Sequence, residues 1–409
     1  MRKIMASLDI GSGSMKLVVG ELYRNRLNVL VSLTEELKGF KDGLLVNEDK
    51  FIDSIKKIME KASEIVGIKI KQMIITIPPR DLEFSVITGK IKVNSEEGIV
   101  AGIDVSKVFK ESLKGQIPKD REFVSLIPTS FGIDDGRKVR NPKGLKSKNL
   151  SARGVLITAP KDNIYPIITA FDKLGIDILD ISLSSIGDYY EYKIDEMKEK
   201  IGIIVDIGYR TTDISLFNKG VLTNTININI GAKNVENDLE YVFKVNDKDA
   251  KFIKDNFALA YVKNASESKT IELTDKYDEK IKLNELEVTK IVQSRIEEIL
   301  NLCKKQINLL TKREISYIII TGGLTEIRDF RLIQSKIFKE KTIVGRVTEL
   351  GIRHNKYGAA VGLIKYYADK QELKGKKEFS IFSIEEQQAL GGYNLDEDNT
   401  SAIAKLFGF

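Results

Sequence analysis

The stretch DIGSGSMKLVV, which begins at Asp9, returns in altered form as DIGYRTTDIS from Asp206. Asp9, Ile10 and Gly11 match Asp206, Ile207 and Gly208; Ser14 matches Thr211, Leu17 matches Ile214 and Val19 matches Leu216. Hairpin turns favour Asp and Gly on their own account, so the repeat gains weight only from its surroundings. These repeat too. Ile4 to Ile10, Lys16 to Leu22 and Leu27 to Leu33 read as three consecutive strands, and Lys50 to Val66 follows with Phe51, Ile55, Ile58, Met59 and Ala62 at helical spacing. MIITIPP is a buried strand ended by two prolines. From 200 onward KIGIIVDIG, TTDISLF and VLTNTINI give three strands again, GAKNVENDLEYVF a helix, and YIIITGG a later strand entering a glycine turn. Strand triplets followed by helices, twice over, predict an α/β chain of two related halves.

Length agrees, since 409 residues exceed one ordinary core. With 42% hydrophobic and 30% charged residues the chain has a globular mixture, and a net charge of +6 spread over it does not suggest nucleic-acid binding. A single cysteine, Cys303, excludes an internal disulfide, and the lone His354 excludes a His-Cys zinc cluster. Cys303 reads as a small buried hydrophobe rather than a reactive thiol. No secretory signal pattern opens the sequence and no run of about 18 apolar residues occurs, so a cytoplasmic protein is expected, one that meets a membrane from the side if at all.

The two turns carry chemistry. A turn of small residues between buried strands leaves backbone N–H groups free for phosphate oxygens. A carboxylate at each strand end offers a hard oxygen to Mg²⁺ or its waters. A third element, TGGLTEI from Thr321, follows a buried strand with Gly322 and Gly323, whose missing Cβ atoms let a ring or sugar approach the backbone. No Walker-type phosphate loop and no complete dinucleotide fingerprint is present.

In this order the three elements resemble the phosphate 1, phosphate 2 and adenosine motifs of the actin-like ATPase superfamily, which includes actin, sugar kinases and heat-shock chaperones. The middle of the chain narrows the resemblance. SLIPTSFGIDDGRKVRNPKGLKSKNL is similar to the small domain inserted in the bacterial cell-division family FtsA, through Pro128, Phe131, Asp134, Asn141, Pro142, Gly144, Leu145 and Leu150. The resemblance runs from residue 1 to 368 and implies an α/β, actin-like two-lobed fold of duplicated RNase H-like domains, with a small α+β domain replacing an actin subdomain. The implied division is 1–82, 163–199 and 353–368 for the first core lobe, 83–162 for the insert, 200–226 and 316–352 for the second core lobe, and 227–315 for its upper part. Residues 369–399 read as a flexible linker, and 400–409 as a membrane-targeting segment.

The resemblance also implies roles. Asp9, Gly11, Ser12, Gly13, Ser14 and Lys16 belong to the first phosphate turn, and Asp206, Gly208, Thr211 and Thr212 to the second, with Asp9 and Asp206 on the shell of Mg²⁺. Gly231, Asn234 and Asp238 fall on the ribose and adenine side of ATP, opposite Gly322, Gly323 and Leu324. Tyr209 and Arg210 depart from the pattern, because family members usually have two glycines there. If the turn needs positive φ, a non-Gly residue carries a steric cost. Either the turn changes shape and ATP binds weakly, or Arg210 brings a cation to the phosphates; retained binding is favoured because Thr211, Thr212 and both aspartates remain. Nothing marks a positioned base for water, so any hydrolysis is expected to be slow.

Further implications concern partners. Arg295 and Glu298, on the helical stretch LNELEVTKIVQSRIEEILNLCKKQI, match the family's contact with the C-terminal tail of the tubulin-like FtsZ; read alone they are an i,i+3 surface pair. GRKVRNPKGLKSKNLSAR has seven basic residues and no acid, and reads first as a solvated loop, then as a face for self-association and later division proteins. The final TSAIAKLFGF places Ile403, Leu406 and Phe407 together, with Phe409 beyond. Inserting these side chains offers about 5 kcal/mol gross by area, much of it lost to ordering, so one tail holds the inner face of the cytoplasmic membrane weakly and a polymer holds it by avidity. The reading is an actin-like ATP-dependent scaffold, peripheral on the cytoplasmic membrane at the division site, that tethers the FtsZ ring and recruits later divisome proteins. The alternative is a cytosolic pilus-assembly scaffold binding a membrane protein's tail; a small-molecule kinase of the superfamily fits least.

Overall fold

The computed structural model describes residues 3–387 apart from positions 25, 42, 340, 341, 377, 378, 384 and 385. β1 (Lys3–Ile10), β2 (Ser14–Tyr23) and β3 (Arg26–Glu36) form an antiparallel meander, followed by the short β4 (Phe40–Lys41) and β5 (Leu44–Leu45), then α1 (Glu48–Val66) and β6 (Gln72–Thr76). Asn47 starts α1 by accepting the Lys50 N–H at 3.0 Å, and Gly67 ends it at φ 78°. The chain then leaves for a smaller sheet, built from β7 (Glu83–Lys92), β8 (Arg121–Gly132), β9 (Lys138–Val139) and β10 (Asn149–Pro160), with α2 (Gly102–Leu113) between β7 and β8. α3 (Lys161–Lys173), β11 (Asp177–Ser182) and α4 (Ser184–Tyr192) return to the first lobe.

The second lobe opens with β12 (Ile201–Ile207), β13 (Thr212–Asn218) and β14 (Val221–Ile228), again an antiparallel meander, followed by α5 (Ala232–Phe243) and α6 (Asp247–Phe252). A hairpin of β15 (Thr270–Thr274) and β16 (Lys280–Asn284) leads into α7 (Glu285–Leu310). β17 (Tyr317–Thr321), α8 (Phe330–Phe338) and β18 (Thr342–Val344) complete the lobe, and α9 (Gly358–Leu373) crosses back to the first sheet.

Strand order carries the duplication. The first sheet runs β3-β2-β1-β6-β11 and the second β14-β13-β12-β17-β18. In both, the meander is antiparallel and the last two strands run parallel to the first. Central strands buried on both faces read as continuous apolar runs, as KIMASLDI and YIIIT do. Each lobe has its own core, around Leu8, Phe51, Ile75 and Phe171 in the first and Val205, Val292, Ile320 and Phe330 in the second. Met5, Val18 and Ile74 on the other face of the first sheet are covered by Ala360, Val361 and Ile364 of α9.

α9 is held against α4 by close backbone contact. A Cβ on Gly362 would overlap the Gly187 carbonyl, and one on Gly187 would overlap that of Ala359. This crossing sets the first turns of both helices at the floor of the space between the lobes.

In the small sheet, strand order is β7-β10-β8-β9. Asp134 closes the end of β8 onto β10, accepting from the Lys148 N–H, from the Asn149 N–H at 3.1 Å and from Asn149 Nδ2 at 2.9 Å. These donors hold its carboxyl down at about 2. Of the seven basic residues from Arg137 to Arg153, Arg140 reaches Glu199 of the first lobe at 2.5 Å, and Lys143 donates to the Glu372 carbonyl on α9. Arg137 pairs within its own turn, with Asp135.

The first part of the expected linker differs from its reading. α9 continues to Leu373, and beyond it Ile381 and Phe382 are 7% and 3% exposed. Ile381 N–H donates to the Ile4 carbonyl at 2.9 Å, and Phe379 meets Tyr367 edge-on. Fading periodicity is what a short docked segment without a helix produces; the apolar pair, rather than any period, holds it.

Candidate functional site

The Ile10–Ser14 and Ile207–Thr212 turns are closed by the same bond. Gly11 N–H donates to the Ser14 carbonyl at 3.2 Å, and Gly208 N–H to the Thr211 carbonyl at 2.9 Å. Between them lies a cleft of about 670 Å³, lined by Asp9, Gly11, Gly13, Ser14, Lys16, Asp206, Gly208, Thr211, Gly322 and Gly323 among others, a size that suits a drug- or nucleotide-sized ligand. A larger cavity, about 910 Å³, lies between the small sheet and α9 near Lys143 and Lys193, but neither turn faces it.

Asp9 is held in place from three sides. Thr76 Oγ1 donates to its Oδ1 at 3.0 Å, Ser184 Oγ donates to the same oxygen at 2.7 Å, and Lys16 Nζ stands 3.5 Å from Oδ2. Asp9 and Lys16 are cross-strand partners in β1 and β2. In the second repeat the equivalent cross-strand pair is Asp206 and Asp213. Like charges placed opposite one another on a sheet repel. Burial raises both carboxyls, with neighbouring carboxylates adding to it, and Asp213 rises to about 7 although Asn227 donates to it. Asp188, 2% exposed on α4, also lines the cleft, and its Oδ2 makes no hydrogen bond. A buried carboxylate set with one nearby lysine is a donor set suited to a hydrated divalent cation. Among the described residues no three acidic, His or Cys side chains stand close enough to bind a bare ion.

Glycines make the cradle. Gly322 has φ 95° and ψ 170°, and a Cβ there would overlap the Asp206 carboxylate and the Ile207 carbonyl. Gly323 is exposed, its nearest neighbour for a Cβ being Lys356 at 4.0 Å, so the floor stays open. Basic side chains close the rim: Lys16, Arg210, Lys233, Lys251 and Lys356 all line the cleft. Lys356 is pushed down by burial and by the neighbouring Lys16.

Comparison with known proteins identifies the scaffold. The model of the family described as cell division protein FtsA matches residues 203–362, and the model of the SHS2 domain inserted in FtsA matches residues 80–158. Cell division protein FtsA of Bacillus subtilis is 25% identical over 378 residues, covering 92% of this chain and 86% of its own. That of Borreliella burgdorferi is 26% identical over 391 residues, covering 93% and 94%. The chain belongs to the FtsA family. It is thus a cell-division protein on an actin-like fold. The PilM–PilN type IV pilus biogenesis complex matches at TM-score 0.59 and 10% identity over 88% of this chain and 98% of that one. MreB5 of Spiroplasma citri matches at 0.56 and 12%, over 91% and 98%.

In this FtsA-family chain the Tyr209–Arg210 turn is unstrained. Neither residue has positive φ. Gly208 and Tyr209 instead spend their carbonyls on the start of α5, accepting from Ala232 N–H at 3.0 Å and Lys233 N–H at 2.7 Å, and Gly231 permits that approach. The Tyr209 ring lies against Gly13, where any Cβ would overlap it, and Arg210 N–H donates to Ser12 Oγ at 3.0 Å. The two turns therefore touch. Tyr209 OH donates to Glu236 at 2.8 Å, whose other oxygen accepts from buried Lys254 at 2.6 Å.

Not every expected residue faces the cleft. Thr212 is buried and donates to the Ile230 carbonyl at 2.7 Å; Asn234 accepts the Gly231 N–H at 3.0 Å as the cap of α5; Leu324 is 1% exposed, in the second-lobe core. Ser12 instead lines an adjoining cavity with Gly11, Arg80 and Thr211. Asp238 and Arg295, expected at two separate sites, hold each other: Arg295 Nε and Nη2 reach the two carboxylate oxygens at 2.6 and 2.7 Å, and Nη1 reaches Glu298. Cys303 is buried, and its thiol is pushed up to about 12 by that burial. Among the described residues no helix is long and apolar enough to cross a membrane. Ile403, Leu406, Phe407 and Phe409 lie outside the described residues.

Ser184, Asp188, Asp213 and Lys356 line the cleft as well. Asp213 was open to discovery in the sequence, since it occupies in the second repeat the place of Lys16 in the first.

Proposed function

We propose that the chain is an ATP-binding scaffold of cell division that polymerises on the inner face of the cytoplasmic membrane, binds the C-terminal tail of FtsZ and holds the division ring there, where it recruits later division proteins. The observation that carries this reading is the pair of like-built turns facing one another across the cleft, in a chain of the FtsA family. Support for the ligand comes from MreB5, solved bound to AMPPNP on a similar fold.

In this reading the backbone N–H groups of Ser12, Gly13, Tyr209 and Thr211 receive the phosphates, since those of Gly11, Gly208 and Arg210 are already engaged within and between the turns. Gly322 and Gly323 give the sugar and base a surface without Cβ atoms. Asp9 and Asp206 hold the waters of Mg²⁺, with Lys16 balancing the first. The bound ion neutralises phosphate charge. Because Ser12 and Tyr209 tie the turns together across the cleft, a ligand that enters between them must alter that contact and with it the relation of the lobes. Nucleotide state is thereby coupled to a surface that a polymer neighbour reads. For the FtsZ tail, Glu298 offers the more accessible group at 51% side-chain exposure, since Arg295 is already engaged by Asp238.

Co-sedimentation with anionic liposomes in Mg-ATP tests the membrane part. The full chain is expected to sediment and a chain ending at Asn399 to remain in solution. If both stay in solution the tether is wrong, and the pilus-type scaffold, which works through a membrane protein's tail and whose relative PilM shares this fold, becomes the better reading.

A further inference from the structure

We propose that Asp188 is a third carboxylate of the cation site, placed on the helical wall opposite the strand-end aspartates, where it accepts hydrogen bonds from the water shell of the divalent ion that accompanies the nucleotide. The inference rests on the reading of the cleft as a site for Mg-nucleotide.

Its grounds are local. Asp188 lies one helical turn beyond Ser184, so both side chains share one face of α4, and both line the cleft. Ser184 is occupied, donating to Asp9. Asp188 is not. It is 2% exposed, yet Oδ2 has no hydrogen-bond partner. A buried, unpaired carboxylate oxygen is costly enough to call for an explanation.

The surroundings supply none. Tyr192, on the same helix, shares its hydrogen bond with Thr321 Oγ1 at 2.8 Å rather than with Asp188. Lys365 is held by Glu191 and Glu349. Gly358, at the start of α9, lies against Oδ1, since a Cβ there would approach it within 3.2 Å, and Oδ2 is the oxygen left without a hydrogen bond. Beside burial itself, the influences that weigh most on Asp188 are Asp206, Asp9, Asp213 and Glu191, all acidic. Lys16, which lines the same cleft, stands by Asp9 instead, so what Asp188 lacks among the described residues is a positive partner of its own. Since the carboxylates stand too far apart to chelate a bare ion, water must lie between, and a hydrated divalent cation meets both needs.

The test is calorimetric titration of the full chain with ATP, in Mg²⁺ and in EDTA, for the unchanged protein and for Asp188→Asn. Asparagine keeps the shape and removes the charge. Affinity in EDTA is expected to stay unchanged, while the gain in affinity on adding Mg²⁺ falls by about tenfold or more, as for loss of an outer-shell group. The thermal midpoint in EDTA should not fall, because without the ion burial and the neighbouring carboxylates push the Asp188 carboxyl up, and the neutral amide replaces a group already kept from ionising. An undiminished Mg²⁺ gain overturns the proposal, as does equal loss of affinity with and without the ion, which marks a purely structural residue. If the asparagine variant does not fold, Asp188→Ser is read in the same way. Failure of the unchanged protein to bind ATP at all would count against the reading of the cleft instead, and so is distinguishable.

Discussion

Glu236→Ala is expected to destabilise the second lobe by about 3 kcal/mol, the low end of the range for breaking a buried ion pair. Glu236 is 0% exposed and accepts from Lys254 Nζ at 2.6 Å and Tyr209 OH at 2.8 Å, with Lys233 at 3.5 Å. Its removal leaves the Lys254 ammonium, on a side chain 7% exposed, with Asp255 at 3.2 Å as its remaining partner. That partner is why the low end is expected. Lys233 loses less, since Glu240 and Asp247 still hold it. Urea unfolding followed by far-ultraviolet circular dichroism measures the loss. Two further variants apportion it. Tyr209→Phe removes only the hydroxyl and should cost about 1 kcal/mol. Glu236→Leu combined with Lys254→Met should regain much of the stability, because replacing both charges by apolar side chains leaves neither unpaired. If Glu236→Ala proves neutral, the pair is not buried as described.

Gly322→Ala is expected to cost the site more than the fold. At φ 95° and ψ 170° the backbone occupies a region essentially restricted to glycine, where a side chain costs of order 1–3 kcal/mol. The added Cβ also meets the Asp206 carboxylate and the Ile207 carbonyl, both at the edge of the Ile207–Thr212 turn. Overpacking there adds about 1–3 kcal/mol, and the easiest relief is to push Asp206 or the turn out of place. ATP affinity should therefore fall by about tenfold or more, one decade for each 1.4 kcal/mol diverted from the site. Gly323→Ala is the control. With open space around its Cβ position, it should fold normally and change affinity only by direct contact with the ligand. Equal, small effects of the two substitutions would show that Gly322 is not the constrained position.

The fold was legible because its signals are local and occur twice. Asp-Ile-Gly between apolar runs marks a strand end wherever it occurs, and the alternation in TTDISLF and the helical spacing from Phe51 to Ala62 need no knowledge of distant contacts. The two sheets have matching strand orders for the same reason. The site was legible at the turns and less so away from them. Asp188 sits in SSIGDYYEY, away from the turns that carry the repeat; its burial follows from the approach of Gly362 to Gly187, a contact between segments far apart in the chain. Tyr209 looked like a strained replacement for glycine, but the turn closes through Gly208 N–H and needs no positive φ after it. Arg295 and Asp238 looked independent because they lie on different helices; α5 and α7 pack together and join them. Ile381 and Phe382 were lost in a polar stretch because docking by one apolar pair has no period.

The most direct test of the account is calorimetric titration of the full chain with ATP in the presence of Mg²⁺, repeated with Gly322→Ala. Saturable binding of one ATP per chain, weakened by the substitution, is the predicted result. Absence of binding to the unchanged protein, or binding that Gly322→Ala leaves untouched, would contradict the assignment of the interlobe cleft as the nucleotide site.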